Sequence, residues 1–364
     1  MKIREITEAL ERWAPKEYAE DFDNVGLLIG SHERDVQKIL ITLDTTEAVV
    51  QEAIAKGCNL IITFHPILFN GVKQLIGYNQ TERVTIAAIK NDIAIYAIHT
   101  NLDNVWSGTN HQICERLGLI RKKILIPKIG TLKKLTTYVP KDHAERVRKS
   151  LFEAGAGNVG NYNHCSYNFD GVGSFRGNED SQPVFGKKHQ LHFQEETCIN
   201  VIFPEHKERD LKKALFESHP YEEVSYEIFD LRNINQHLGM GIIGQLQPPM
   251  SEISFLTHLK EKMVAPYVRH SRLSGKRIQK IALLAGSGSF ALPHAKKEGV
   301  DLFLTADLKY HHFFEADHQM IIADIGHYEC EQFTKDLLRA YISNIFPNFA
   351  VLQSEINTNP IHYH

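Results

Sequence analysis

Three short segments of this chain carry residue types that hold metal ions. Thr63-Phe64-His65-Pro66 places a histidine directly after a continuous apolar run. His99-Thr100-Asn101-Leu102-Asp103-Asn104 places a histidine and a carboxylate after a second run, and Gly326-His327-Tyr328-Glu329-Cys330-Glu331 follows a third. At i and i+4, His327 and Glu331 lie on one helix face and can share one ion. Imidazoles with carboxylates make a nitrogen–oxygen donor set suited to zinc, iron, manganese or similar divalent ions. Such an ion makes hydroxide available near neutral pH and polarises a substrate oxygen. Each segment also has a plain structural reading: His65 as a strand cap, Asp103 as an Asx turn, Glu331 as a first-turn acid complementing a helix dipole. A fourth segment, Thr305-Ala306-Asp307-Leu308-Lys309-Tyr310-His311-His312, likewise follows a strand pattern. There His311 is a candidate general acid or base, or a polar loop residue.

The elements that must position these residues read as α/β. Strands are expected at 36–43, 60–63 and 93–98, with helices at 47–56 and 81–90. Near the C-terminus the pattern returns, with strands at 278–285, 302–305 and 320–324. A helix is expected at 291–298, and another follows 324 with Phe333, Leu337 and Tyr341 on one face. Short continuous apolar runs separated by helices are the signature of parallel strands buried on both faces. In open parallel sheets ligands bind beyond the carboxyl ends of the strands, where the candidate residues fall.

An offset of 242 aligns Lys38 with Lys280, Gly57 with Gly299, Leu60 with Leu302 and Thr63 with Thr305, and sets Asp307 against His65. Two related halves, or two generic βαβ units, account for this. The middle has its own repeat at an offset of 64, with Pro140 on Pro204 and Leu151-Phe152-Glu153 on Leu215-Phe216-Glu217. Two tandem βαβ units there suggest a ferredoxin-like α+β fold. The stretch 155–186 between them, rich in Gly, Asn and Ser, reads as loop or hairpin. The division expected is 1–125 and 236–364 as halves of one metal domain, with 126–235 inserted. A length of 364 residues suits two or three domains.

Composition narrows the function classes. Lys plus Arg number 41 against 44 Asp plus Glu, a formal net charge of −3, which argues against a strongly electrostatic nucleic-acid or membrane binder. No apolar run approaches the ~18 residues of a membrane helix, and the first 23 residues lack the apolar core of a signal peptide. The five scattered cysteines form no CxxC pair, so a reducing cytoplasm is expected. The 20 histidines are the unusual count. Gly155-Ala156-Gly157-Asn158-Val159-Gly160 matches GxGxxG but follows a helix, so a dinucleotide reading fails on context. Gly286-Ser287-Gly288-Ser289 lies between strand and helix and reads either as an anion cradle or as a tight turn.

With these segments in this order the chain resembles the GTP cyclohydrolase type 2 homologues, also called the Nif-three-like family. The resemblance rests on DNVGLLIG (23–30), ITLDTT (41–46), TFHPILF (63–69), HTNLDN (99–104), HPYEEVSYEIFDL (219–231), TADLKYHH (305–312), GHYECE (326–331) and INTNP (356–360). It implies an α/β fold of two related βαβ-containing halves around a dinuclear metal site. The inserted ferredoxin-like α+β domain is similar to the CutA/PII-like insertion of longer bacterial members. A ring-shaped homohexamer is implied, with the sites facing an inner cavity. The implied ligands are His65, Asp103, His327 and Glu331, with up to two zinc, iron or manganese ions. One position departs: relatives carry two consecutive histidines before the proline, where this chain has Phe64, so the second ion loses a protein ligand.

Two functions are compatible with this resemblance. One is a cytoplasmic metal-dependent hydrolase, cyclohydrolase-like, acting on a nucleotide or related heterocycle. His311 and His99 would be its proton-transfer or polar site residues, with Asn24 nearby. The alternative is a metal-stabilised hexameric scaffold without turnover that senses a ligand through the PII-like insert. No membrane partner is expected, and nucleic acid fits poorly with the near-neutral charge.

Overall fold

Strands that are apolar on both faces must lie between two layers of helix, and this requirement shapes most of the chain. The computed structural model describes every residue except 363. The N-terminal segment contains helix α1 (Ile3–Trp13), strands β1 (Gly26–Ile29) and β2 (Ile39–Thr42), α2 (Glu47–Lys56), β3 (Leu60–Thr63) and α3 (Gln80–Lys90). It continues through β4 (Ala94–Ala97), α4 (Thr100–Asn104), α5 (Thr109–Leu117) and β5 (Ile120–Pro127). The middle comprises β6 (Leu132–Pro140), α6 (Ala144–Glu153), β7 (Tyr167–Phe175), β8 (His192–Pro204), α7 (Glu208–Ser218) and β9 (Tyr226–Asp230). The last segment contains β10 (Gly239–Ser251), α8 (Glu252–Met263), β11 (Arg269–His270), β12 (Arg277–Ser287), α9 (Leu292–Lys297) and β13 (Leu302–Ala306). It ends with β14 (Ile321–Asp324), α10 (His327–Glu331), α11 (Thr334–Ile345) and β15 (Val351–Gln353). Two compact units result, one of Met1–Ile126 with His237–His364 and one of Pro127–Gln236.

The larger unit holds two sheets. The first runs β1-β4-β3-β2-β15, with β15, β2, β3 and β4 parallel and β1 antiparallel at the edge. Every residue of β2, β3 and β4 is buried. On one face Ile39, Ile41, Leu60 and Ile62 pack under Ile6 and Leu10 of α1 and Leu338 and Ile342 of α11. On the other, Leu40, Ile61 and Ile95 pack under Val49, Val50 and Ala53 of α2 and Val84 and Ala88 of α3. Each such buried aliphatic side chain contributes about 1.5–3 kcal/mol. Thr46 caps α2 by accepting from the Val49 N–H at 3.3 Å, and Gly57 ends it in the left-handed conformation.

The second sheet runs β11-β14-β13-β12-β10-β5, with β12, β13 and β14 parallel and β11 and β10 antiparallel to their neighbours. Ile281, Leu283, Leu302 and Leu304 pack against α5 and α8, while Ala282, Phe303 and Ile322 pack against α9 and its preceding turn. Among the described residues no helix is long and apolar enough to cross a membrane. The smaller unit is a four-stranded antiparallel sheet, β7-β8-β6-β9, with α6 and α7 on one face over Leu135, Val139, Ile199, Val201 and Phe203.

Two elements differ from the sequence expectation, and a third settles between its two readings. The helix expected through Tyr341 is broken after Glu331, and α11 buries Thr334, Leu338 and Ile342 rather than the stripe of Phe333, Leu337 and Tyr341. Phe333 and Tyr341 of that stripe are partly buried against the two cores, beside the fully buried row. Of the two readings of the Gly/Asn/Ser-rich stretch, the hairpin is the one found: β7 is an exposed strand held by its antiparallel ladder to β8. The expected helix at 291–298 begins as a 3-10 turn, Ser289–Ala291, before α9.

The turn between α4 and α5 depends on Gly108, where a Cβ would overlap the Leu102 carbonyl oxygen. Backbone cannot move aside there as a side-chain tip can. Gly108→Ala is expected to cost about 1–3 kcal/mol or more. Urea unfolding followed by far-UV circular dichroism would show the lowered midpoint, and a midpoint equal to wild type would refute the assignment.

Candidate metal centre

The chain leaves β3 without leaving its neighbour. The Phe64 N–H donates to the Thr42 carbonyl at 3.2 Å and the His65 N–H to the Leu43 carbonyl at 2.9 Å. These bonds hold the His65 ring just beyond the strand ends. Asp44, which follows β2, lies with Oδ1 2.7 Å from His65 Nδ1. The Thr358 hydroxyl donates to the other oxygen of Asp44 at 2.5 Å. An Nδ1–H committed to Asp44 leaves Nε2 as the free lone pair and fixes the ring plane.

The second sheet repeats this arrangement. Asp307, after β13, lies with Oδ2 2.7 Å from His327 Nδ1 at the start of α10. Four residues on, Glu331 is buried on the same helix face. Room for its carboxylate comes from Gly286 at the end of β12, where φ is +65° and a Cβ would overlap Glu331 Oε1. Gly288 similarly makes way for the Thr305 hydroxyl. These glycines serve side-chain packing, and a carboxylate already occupying the turn is hostile to the anion that this segment suggested.

Three donor atoms converge as a result. Glu331 Oε2 is 3.0 Å from His65 Nε2 and 3.1 Å from His327 Nε2, and the two Nε2 atoms are 3.4 Å apart. Four-coordinate ligands at about 2.0–2.1 Å from one ion would stand about 3.3 Å from each other. Glu331 Oε2 is buried and lacks a hydrogen bond of normal geometry. Two imidazolium N–H groups facing each other at this distance would repel, so neutral rings about a cation suit the arrangement better. The residues present therefore fit a divalent ion. Without one, burial pushes His65 and His327 toward the neutral form, but the Glu331 charge, with Asp44 and Asp307, outweighs it and raises both. Burial opposes the charge on Glu331, yet the two imidazoles hold its carboxyl well below the usual range.

Asp103 lies on α4, just beyond β4, half-buried and outside the close triad, with a buried Oδ1 that lacks a hydrogen-bond partner. Burial, then the Glu331 charge, lifts its carboxyl to about 7, against the pull of His99 and His65. Asn110 holds its backbone in place, donating to the Asp103 carbonyl at 3.1 Å while accepting from the Ala285 N–H at 2.8 Å. His99 lies with its ring centroid 5.1 Å from that of His65 and its Nδ1 2.9 Å from Asp23 Oδ1. Burial notwithstanding, hydrogen bonds from His99 and Thr100 bring Asp23 down to about 2. The polar neighbour from this segment is thus Asp23. Asn24 turns away and donates to the Leu68 carbonyl at 2.5 Å. Phe64 is fully buried, its ring centroid 5.2 Å from His99 and 5.1 Å from His65.

His311 is exposed on the turn after β13, with ring centroids of Tyr310 and Phe314 at 5.2 and 6.2 Å. Among the described residues it makes no hydrogen bond or ion pair with the triad. Asp44, Asp23 and Thr358 escaped the sequence reading as orienting residues, although each lies within a segment that carried the family resemblance. Asp307 was visible only through the offset that sets it against His65.

Two outcomes are expected. Asp44→Asn should weaken metal binding about 10–100-fold, with Thr358→Val changing it less in the same direction, as read by competition with a chelating dye. Binding should also tighten with pH. The imidazoles, raised above their ordinary 6.5 in the metal-free chain, stabilise it fully below that value and lose the contribution as pH rises through their folded-state values. An ion must displace those protons, so apparent affinity should climb by about tenfold per pH unit for each proton released. A pH-independent affinity would mean the rings are already neutral.

The comparisons with known proteins agree over the whole length. Residues 1–360 match the family described as Duf34/NIF3 (NGG1p interacting factor 3). A Bacillus subtilis protein named "GTP cyclohydrolase 1 type 2 homolog" is 34% identical over 365 residues, covering 98% of this chain and 97% of its own length. A Staphylococcus epidermidis protein of the same name is 34% identical, covering 100% of both. The crystal structure of a Bacillus cereus protein related to NIF3 superposes with a TM-score of 0.87 at 36% identity, covering 100% of this chain and 99% of that one. A Staphylococcus aureus structure gives 0.79 at 31%, again covering 100% and 99%. Full-length identity above 30% together with the matched family span means that this chain belongs to the NIF3 (NGG1p interacting factor 3) family.

Proposed function

We propose that the chain is a divalent-metal-dependent hydrolase, cyclohydrolase-like, acting on a nucleotide or related heterocycle in the cytoplasm. The observation that carries this reading is the convergence of His65, His327 and Glu331, each imidazole backed by its own aspartate. The names of the relatives point to the same chemistry. Bound there, a zinc, iron or manganese ion would supply Lewis acidity and a water acidified toward neutral pH. Asp44 and Asp307 keep the two Nε2 lone pairs aimed inward. Burial and Glu331 lift Asp103, at the edge of the triad, to about 7 in the metal-free chain; a bound cation would draw it back toward the ionised form, able to accept a proton. Phe64 gives the site an apolar wall that excludes water from one side. His99 is the polar group beside the ligands, and His311, exposed on the turn after β13, remains the second proton-transfer candidate.

The same reading includes two related halves, a ferredoxin-like insert similar to CutA/PII domains, and a homohexameric ring. In support, β1-β4-β3-β2 and β11-β14-β13-β12 have the same order and orientation, with three parallel strands and one antiparallel edge. The smaller unit runs β-α-β-β-α-β, the order of ferredoxin-like folds.

Elemental analysis of purified protein tests the centre. About one ion per chain is expected, lost in Glu331→Ala, with a second gained in Phe64→His as an imidazole replaces the phenyl wall. Metal-loaded wild type should hydrolyse a member of a nucleotide panel that includes GTP, and Glu331→Ala should not. Metal without turnover would favour the scaffold reading, and no metal in either protein would remove both.

A further inference from the structure

We propose that the smaller unit carries a binding site of its own, for a small organic ammonium compound with an apolar or aromatic body. The site is a cavity of about 380 Å³ on the helix-free face of the sheet, a size ordinary for a small-molecule pocket. Cross-strand register places its walls. Tyr138 of β6 pairs with Cys198 of β8, which pairs with Phe169 of β7, and one step along Glu196 pairs with Gly171. Side chains alternate along a strand, so Phe169, Gly171, Gly173 and Phe175 share this face with Glu196 and Cys198. Two phenyl rings therefore flank two positions without side chains. A Cβ at Gly171 would meet nothing within 4 Å, and one at Gly173 would overlap the Glu196 carboxylate. The glycines leave a slot whose polar feature is that carboxylate.

Glu196 calls for a ligand. It is only 8% exposed, and its one hydrogen bond from a side chain comes from the Tyr221 hydroxyl at 2.7 Å. Among the described residues no lysine, arginine or histidine lies within ion-pairing distance of it. The nearby Lys141 is held by Glu195 and Asp170, which alternate with Glu196 and Gly171 and so face the other way. A buried carboxylate without a counter-ion is costly, and an entering cation relieves that cost. The rings of Tyr138, Phe169, Phe175 and Tyr221 around it are the other half of ammonium recognition, because their negative faces attract a cation while their area buries the ligand's apolar body. An anionic ligand would meet Glu196 head-on, and a neutral one would leave it unpaired.

Calorimetric titration of the full chain with phenethylammonium chloride tests this, with phenethyl alcohol as the uncharged probe of the same shape. Saturable binding of the ammonium compound near one per chain is expected, with the alcohol at least about tenfold weaker. Glu196→Gln should abolish the preference for the cation. Gly171→Leu, which fills the slot while keeping the Glu196 carboxylate, should abolish binding of both probes while circular dichroism stays unchanged. No binding to wild type, equal binding of the two probes, or binding that survives Gly171→Leu would overturn the proposal. Should Glu196→Gln fail to fold, the two-probe comparison on wild type and the Gly171→Leu result still decide it.

Discussion

The Glu331 carboxylate is buried between two imidazoles that arrive from different sheets, and much of the larger unit exists to make that burial tolerable. An uncompensated carboxylate in a protein interior costs several kcal/mol. Here the compensation is His65 at 3.0 Å from the first sheet and His327 at 3.1 Å from the second. Neither sheet can satisfy the charge alone. The two chain segments on either side of the smaller unit must therefore fold onto one another, with the carboxyl ends of both sets of parallel strands facing inward. Gly286 follows from the same demand, since a side chain there would occupy the space of the carboxylate.

The orienting groups obey one geometrical rule in both sheets. His65 follows β3 and is held by Asp44, which follows the adjacent parallel strand β2. His327 follows β14 and is held by Asp307, which follows the adjacent parallel strand β13. Neighbouring strands lie about 4.8 Å apart, so the first residues beyond their ends reach each other with little loop between. A histidine oriented in this way loses little freedom on meeting an ion, because the ordered backbone at the strand ends has already fixed its position. The C-terminal segment adds a further layer. β15 extends the first sheet beside β2, which brings Thr358 to Asp44 and Asn359 to Glu329 at 3.1 Å.

Much of this was legible in the sequence because burial on both faces leaves an unmistakable trace. Leu60–Thr63 and Glu47–Lys56 have in the structure the limits that the apolar runs and Gly57 imply. His65, Asp103, His327 and Glu331 stood out because each follows such a run. The orienting layer was not legible, since its pairings are set by tertiary approach: Asp44 is 21 residues from His65, and Thr358 is 314 from Asp44. Periodicity carries no information at those separations. The break after Glu331 was missed because Gln332 and Phe333 keep helical backbone angles there and no Gly or Pro marks the boundary. Strand β7 realises the hairpin alternative for its segment, since it pairs antiparallel with the next strand, β8. His311 looked equivalent to the other strand-end histidines, but the turn from Tyr310 to Ala316 sends its ring against Tyr310 and Phe314 instead.

On the proposed reading, Phe64 alters the physics of the centre beyond offering no donor atom. Its ring is fully buried against both His65 and His99. An apolar wall lowers the local dielectric, which strengthens every charge–charge contact inside and raises the cost of any charge left unpaired. That cost falls on Asp103, whose carboxyl is lifted to about 7 by burial and by Glu331. An imidazole in place of Phe64 would offer a donor for a second cation, and that cation would hold Asp103 ionised as a ligand. In the metal-free chain, burial and the Glu331 charge raise the Asp103 carboxyl to about 7. On the proposed reading, the position that lacks a second imidazole leaves Asp103 unligated beside the first ion, a carboxylate that the ion favours in its charged form and that can accept a proton.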